Sequence, residues 1–318
     1  MASTNARMPE AKEVLVTGGA GYLGSCLVPL LLERGWRVAV YDTFARGLGP
    51  LLPVAHRVRL VRGDVRDGAA LASALKGVDA VVHLAAVVGY PACSRDPELA
   101  ESVNVGGTRT LLEQLSPSQR VVFASTGSCY GAVTDGLCTE ETPLSPLSVY
   151  GSTKERSEDL VVKHGGVALR LATVFGVAPR MRVDLLVNDL SLRALRDGEL
   201  EVYEPDFWRT LLHVRDAARA FVLALDRYDE VRGRAFNVGD DTLNVTKAKL
   251  ARLICERAGG VRLLLGATGR DQDRRDYRVS HALIRKELGF RASVSLEQGV
   301  DELIKVLPLL APHELCSN

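Results

Sequence analysis

The chain has 318 residues, 47% hydrophobic and 25% charged, so it can bury a core of its own and is not a disordered polymer. Forty Lys and Arg against 39 Asp and Glu leave a formal net charge of +1, which gives no bulk electrostatic reason to bind nucleic acid or a membrane surface. The six cysteines form no CxxC pair and meet no His at metal-ligand spacing, which argues against a zinc site and for reduced thiols in a cytoplasmic setting.

Residues 1–9 read as a loose polar tail without the apolar stretch of a secretory signal. No apolar run reaches the roughly 18 residues of a membrane span. The run 13–17 (EVLVT) stops at glycines and predicts a buried strand. A helix over 22–34 follows, closed by Gly35. Strands are predicted at 37–41, 58–61, 80–84, 120–124 and 167–171, with helices at 69–75, 99–115 and 150–163 between them. Strands alternating with helices predict an α/β fold with a doubly wound parallel sheet. Beyond about residue 173 the alternation fails. Helices at 183–196, 214–225, 246–258 and 280–288, with strands at 200–203 and 235–238, predict a smaller C-terminal α/β cap. The expected division is a tail (1–12), a cofactor domain (13–175) and a substrate-binding cap (176–318), with about 210–240 returning to the first domain.

The first strand runs into Gly18-Gly19-Ala20-Gly21-Tyr22-Leu23-Gly24, a GxxGxxG turn opening a helix. Such a turn lets backbone approach a pyrophosphate, and the helix start offers free N–H groups. Asp42 ends the second strand, where a carboxylate accepts from both adenosine ribose hydroxyls and repels a 2′-phosphate, favouring NAD. Arg46 nearby could welcome that phosphate. Asp64 and Val65 follow the third strand and can bracket the adenine.

With these stand HLAA at 83–86, Asn104, FASTGSCYG at 123–131, Tyr150-Gly-Ser-Thr-Lys154 and RTLLHVRDAARAF at 209–221. Together they resemble the extended short-chain dehydrogenase/reductases, especially the nucleotide-sugar 4-epimerases, over nearly the whole chain. The resemblance implies a Rossmann domain, NAD lined by Leu84, Ala85 and Ala86, and a substrate pocket in the cap. It also implies a homodimer through two sheet-flanking helices. His83 is expected to be structural, and Asn104 to organise the backbone near the cofactor.

Tyr150 and Lys154 lie four apart on one helix face. A Lys ammonium and the nicotinamide charge would draw the phenol toward a usable pKa, and Lys154 would hold the nicotinamide ribose. Thr126 can hydrogen-bond the reacting sugar oxygen. The resemblance departs from the 4,6-dehydratases, which follow this Thr with Asp-Glu, because Gly127 and Ser128 stand here. Cys129 is read as a packed thiol rather than an extra acid. Thr173 replaces the Asn that many 4-epimerases carry near the phosphates. Arg209 matches the family's diphosphate contact; Arg270, Arg274 and Arg275 offer a second, with Arg275 favoured, and Asn188 is a candidate nucleotide or phosphate ligand. The expected activity is NAD-dependent nucleotide-sugar 4-epimerisation. A keto-sugar reductase or decarboxylase of the same fold, and a catalytically silent NAD sensor, are the alternatives.

Overall fold

The computed structural model describes residues 12–133, 136–266, 275–315 and 317, so the expected tail, Arg270, Arg274 and Cys316 lie outside the described residues. Seven strands form one parallel sheet: β1 (Glu13–Thr17), β2 (Arg37–Asp42), β3 (Val58–Arg62), β4 (Ala80–His83), β5 (Arg120–Thr126), β6 (Val167–Leu171) and, after three strands outside it, β10 (Arg234–Val238). Their order is β10-β6-β5-β4-β1-β2-β3. Successive residues of a strand face opposite sides. Val14, Val16, Val38 and Val40 therefore pack with Leu27, Leu31, Phe221 and Phe236 on one face. Leu15, Ala39 and Val81 pack with Leu71, Leu111 and Val161 on the other. Both faces are covered, which is why these strands are apolar runs rather than alternating ones.

The strand order reverses between β1 and β4, so their carboxyl ends part and leave a crevice. The remaining strands build the cap: β7 (Thr173–Phe175), β9 (Trp208–His213) and β11 (Asn244–Thr246) in one sheet, β8 (Glu199–Val202) and β12 (Arg262–Leu265) in another. They enclose a separate core around Leu190, Leu211, Leu250 and Leu303. The chain then doubles back. The helix Val214–Asp226 packs on the helix Tyr22–Glu33, and β10 pairs with β6.

Several features differ from expectation, the cap strands β9 and β12 among them, which the sequence pattern did not predict. The single helix expected over 99–115 is an α-turn at Pro97–Ala100, a π-helical turn at Glu101–Gly106 and an α-helix at Gly107–Gln114. The short strands β7 and β11 span too few residues to show a period. The helix Leu296–Val306 was missed although Ser295 and Gln298 form its capping box. No helix among the described residues is long and apolar enough to cross a membrane.

Candidate active site

A cleft of ≈ 1080 Å³ opens at the crevice and runs from the glycine turn to Thr126, Tyr150 and the cap. Gly18 has φ +71°, and a Cβ there would lie 2.7 Å from the Ala85 nitrogen. A Cβ on Gly24 would lie 2.5 Å from the Gly19 oxygen. Both positions need glycine for close approach, so turn and helix start press together. Gly21 caps the helix Tyr22–Glu33 without any side-chain bond, which leaves the first-turn N–H groups facing the cleft. That is a cradle suited to a pyrophosphate. Tyr22 and Leu23 line it, and the Tyr22 hydroxyl reaches across to donate to the Gly176 carbonyl at 2.7 Å.

The Asp42 carboxylate accepts from the Ala20 N–H (3.0 Å) and the Phe44 N–H (2.8 Å), which fixes it at the end of β2 facing the cleft. Arg46, exposed, lines the same end. The Arg66 guanidinium bonds Asp64 at 2.6 Å and holds its carboxyl below the usual range. Val65 is buried beside it, and Leu84, Ala85 and Ala86 form the floor.

At the other end stand Thr126, Tyr150 and Lys154, all lining the cleft. Thr126 closes β5; its hydroxyl accepts from the Ser128 N–H at 3.1 Å. The helix Val149–Lys163 begins at Ser148, whose hydroxyl accepts from the Gly151 N–H at 3.1 Å and sets Tyr150 and Lys154 on the cleft face. Lys154 is 3% exposed, its ammonium 4.0 Å from the centre of the Phe123 ring. Burial pushes Lys154 down to about 7. Burial also pushes the half-buried Tyr150 phenol up to about 12, with Arg182 and the Thr126 hydroxyl pulling the other way. The phenol is thus raised rather than lowered in the protein alone, because desolvation penalises both charged forms.

His83 is fully buried between the Thr17 hydroxyl (2.7 Å) and the Thr108 hydroxyl (3.0 Å), and burial lowers it to about 3, so it is a neutral link in the core. Cys129 is fully buried and its thiol is pushed up to about 12 by burial. It is inert at neutral pH.

Asn104 has the backbone-organising place expected of it, whereas Asn188 and Arg209, expected as ligands, hold backbone as well. Asn104 sits in the π-helical turn, accepts from the Val87 N–H (2.8 Å) and donates to the Val87 carbonyl (3.0 Å) and the Thr153 hydroxyl (3.0 Å). It does not line the cleft; it holds Val87, which does. Asn188 is fully buried, accepting from the Gly176 N–H (3.0 Å) and donating to the Arg182 carbonyl (2.8 Å), so it staples a loop instead of facing a nucleotide. Arg209 is 2% exposed and donates to the carbonyls of Trp208 (2.9 Å) and Arg275. It anchors the backbone of Arg275 and is not part of the lining. Arg275 lines the cleft and donates to the Ser128 hydroxyl; Thr173 lines it too.

Sequence reading passed over Arg180, Arg182 and Tyr277, which also line the cleft. Arg182 is paired with Asp184 at 2.5 Å. The available signal was Pro179-Arg180-Met181-Arg182, two guanidiniums two residues apart shortly after β7.

A doubly wound sheet, a glycine cradle at its switch point and a Thr–Tyr–Lys set facing that cradle define a nicotinamide-dependent enzyme of the extended short-chain dehydrogenase/reductase type. The profile of the NAD dependent epimerase/dehydratase family matches residues 14–239, and the chain belongs to that family. A dTDP-glucose 4,6-dehydratase of Streptomyces niveus is 30% identical over 315 aligned residues, 92% of this chain and 91% of the relative. UDP-glucose 4-epimerase 2 of Arabidopsis thaliana is 29% identical over 91% of this chain and 93% of its own. The crystal structure of a Thermus thermophilus UDP-glucose 4-epimerase complexed with NAD superposes with a TM-score of 0.79 at 28% identity, covering 92% of this chain and 98% of that one. The cofactor is NAD, and the cradle, Asp42 and the Ala85–Ala86 floor fit it.

Proposed function

We propose that the chain is a nucleotide-sugar 4-epimerase that works through a transient 4-keto sugar. One observation carries this. Among the described residues, the acids lining the cleft are Asp42 and Asp64, both at the adenosine end; none stands near Tyr150. Elimination of water from a sugar needs an acid and a base beside it. With Gly127 and Ser128 following Thr126, the reacting end is left with hydroxyls, an ammonium and guanidiniums. These support proton transfer at one sugar hydroxyl and little else.

Bound NAD supplies the hydride acceptor and, on the return, the donor. Thr126 orients the reacting hydroxyl. Tyr150 takes the proton from that oxygen as the ketone forms and returns it to the same oxygen after the keto sugar has turned, when C4 regains hydride on its other face. Lys154 stabilises the phenolate and would hold the nicotinamide ribose. Arg275, with Arg180 and Arg182 in the same cleft, offers guanidiniums to the substrate diphosphate. Epimerisation then requires only that the keto sugar turn while the diphosphate stays anchored. A homodimer through the sheet-flanking helices belongs to the same proposal; light scattering tests it.

The test is incubation with a panel of nucleotide sugars, followed by NMR of the products. The expected result is a mixture of C4 epimers with no net change in NADH. Net NADH consumption would make the enzyme a reductase, release of CO₂ a decarboxylase, and accumulation of a 4-keto-6-deoxy sugar a dehydratase.

A further inference from the structure

Behind the catalytic face lies an ion pair that the chemistry above does not use. Glu158 sits one helical turn beyond Lys154, and Arg170 lies on β6; they are 4% and 7% exposed. The guanidinium donates to Glu158 at 2.7 Å from Nη2 and at 3.0 and 3.1 Å from Nε. Glu158 also accepts from the Ser125 hydroxyl at 2.5 Å. Arg170 Nη1 continues to the Tyr130 hydroxyl at 2.8 Å and the Glu140 carbonyl at 3.2 Å. The Tyr130 hydroxyl in turn lies 2.7 Å from Asn237 Oδ1 on β10. Burial disfavours the Arg170 cation, yet the bonds to Glu158 more than offset this and hold it charged.

Such a pair is weak evidence of a stability gain, because desolvating both ions consumes most of their attraction. Its placement suggests another task. Ser125 immediately precedes Thr126, and Glu158 continues the helical row Tyr150, Lys154, Glu158. The pair therefore clamps the strand end carrying Thr126 to the helix carrying Tyr150 and Lys154.

We infer that Glu158 and Arg170 are positioning residues of the catalytic set: through Ser125 they hold Thr126 opposite Tyr150, and Glu158 supplies the negative charge that keeps Lys154 an ammonium. This rests on the roles proposed for Thr126, Tyr150 and Lys154. The groups around Lys154 are Tyr150 and Glu158 on its own helix, Cys93 on the helix Tyr90–Arg95, Cys129 after β5, His83 on β4 and the Phe123 ring on β5. Burial keeps both thiols and His83 neutral near pH 7. Glu158 is then the group among them whose charge favours the Lys154 ammonium.

Three variants of the holoenzyme, compared with Tyr150→Phe, test this. Ser125→Ala cuts the link to Thr126 and leaves the ion pair intact; kcat should fall by about tenfold with KM little changed, since misplaced groups lose rate before affinity. Glu158→Gln should move the alkaline limb of the pH–rate profile to lower pH by about one unit, because Lys154 then loses its proton sooner. It should also raise the Tyr150 phenolate titration, read by ultraviolet difference against Tyr150→Phe. Glu158→Gln/Arg170→Gln removes both charges together, should it be needed for folding, and is expected to shift in the same direction by less, because loss of the Arg170 cation partly compensates loss of the Glu158 anion. Bound NAD should be unchanged in all three. If Ser125→Ala keeps kcat within twofold and whichever charge variant folds keeps the wild-type pH profile and phenolate titration, the pair is a structural brace only. Full activity of Tyr150→Phe would instead overturn the catalytic reading itself.

Discussion

Lys154 should be a burden on the cofactor-free fold. Its ammonium lies over Phe123, and the side chain is 3% exposed. Burial brings its pKa from 10.5 to about 7. At about 1.36 kcal/mol per unit, that difference corresponds to roughly 5 kcal/mol of disfavoured charge. Attraction to the Phe123 ring offsets about 1–2 kcal/mol of it. Lys154→Met keeps the stem and removes the charge, so NAD-free Lys154→Met should be more stable than NAD-free wild type by about 3 kcal/mol near pH 7. The sign fixes the pH dependence. The lysine is protonated in the unfolded chain up to about pH 10.4, whereas the folded protein resists protonation down to about 7. The advantage of the variant should therefore be full below about pH 7 and shrink to nothing as pH approaches 10.4. Urea denaturation of both proteins across that range measures it. A variant less stable than wild type at neutral pH, or a gain that does not decline with rising pH, would refute the reasoning.

Other outcomes follow from the same geometry. Nucleotide released on denaturing the purified protein should be NAD, because Ala20 and Phe44 fix the Asp42 carboxylate at the cleft, where it would repel a 2′-phosphate; a predominance of NADP would transfer the role to Arg46. Tyr150→Phe should keep NAD and lower kcat by roughly 10² to 10⁴, measured with the true substrate. Arg275→Ala should weaken nucleoside diphosphate binding by about tenfold in calorimetric titration. Arg209→Lys should weaken it too, through loss of the bond to the Arg275 carbonyl, and without any change in NAD content. Equal diphosphate affinity in both arginine variants would place the phosphate grip on Arg180 and Arg182.

The sheet was legible because its strands are continuous apolar runs and its glycine turn has one physical use. The same holds for Thr126, Tyr150 and Lys154, which fixed spacing carries to one cleft. Reading failed where a side chain's task depends on which way it turns. Asn188 and Arg209 have the chemistry of ligands, yet their polar groups satisfy buried backbone, a demand invisible in the sequence. Arg180 and Arg182 went unread for the opposite reason: arginines after a short strand look like a solvated turn until the cap folds over them. The raised Tyr150 pKa was also beyond reach, since spacing shows which charges are close but not how much water has been excluded.

The return of β10 to the edge beside β6 has a consequence for anyone exchanging parts between relatives. The chain leaves the main sheet after β6, builds cap strands β7 to β9, comes back to lay down the Val214–Asp226 helix and β10, and leaves again for β11. The cap is thus two separate stretches of polypeptide sewn around a piece of the cofactor half. A chimera made with one crossover after β6 would import a foreign helix and a foreign edge strand into the native sheet, where Phe221 and Phe236 must fit against Leu27 and Leu31. Transplanting substrate preference alone therefore takes at least two inserts, one ending before Val214 and one beginning after Val238, with the intervening segment left native.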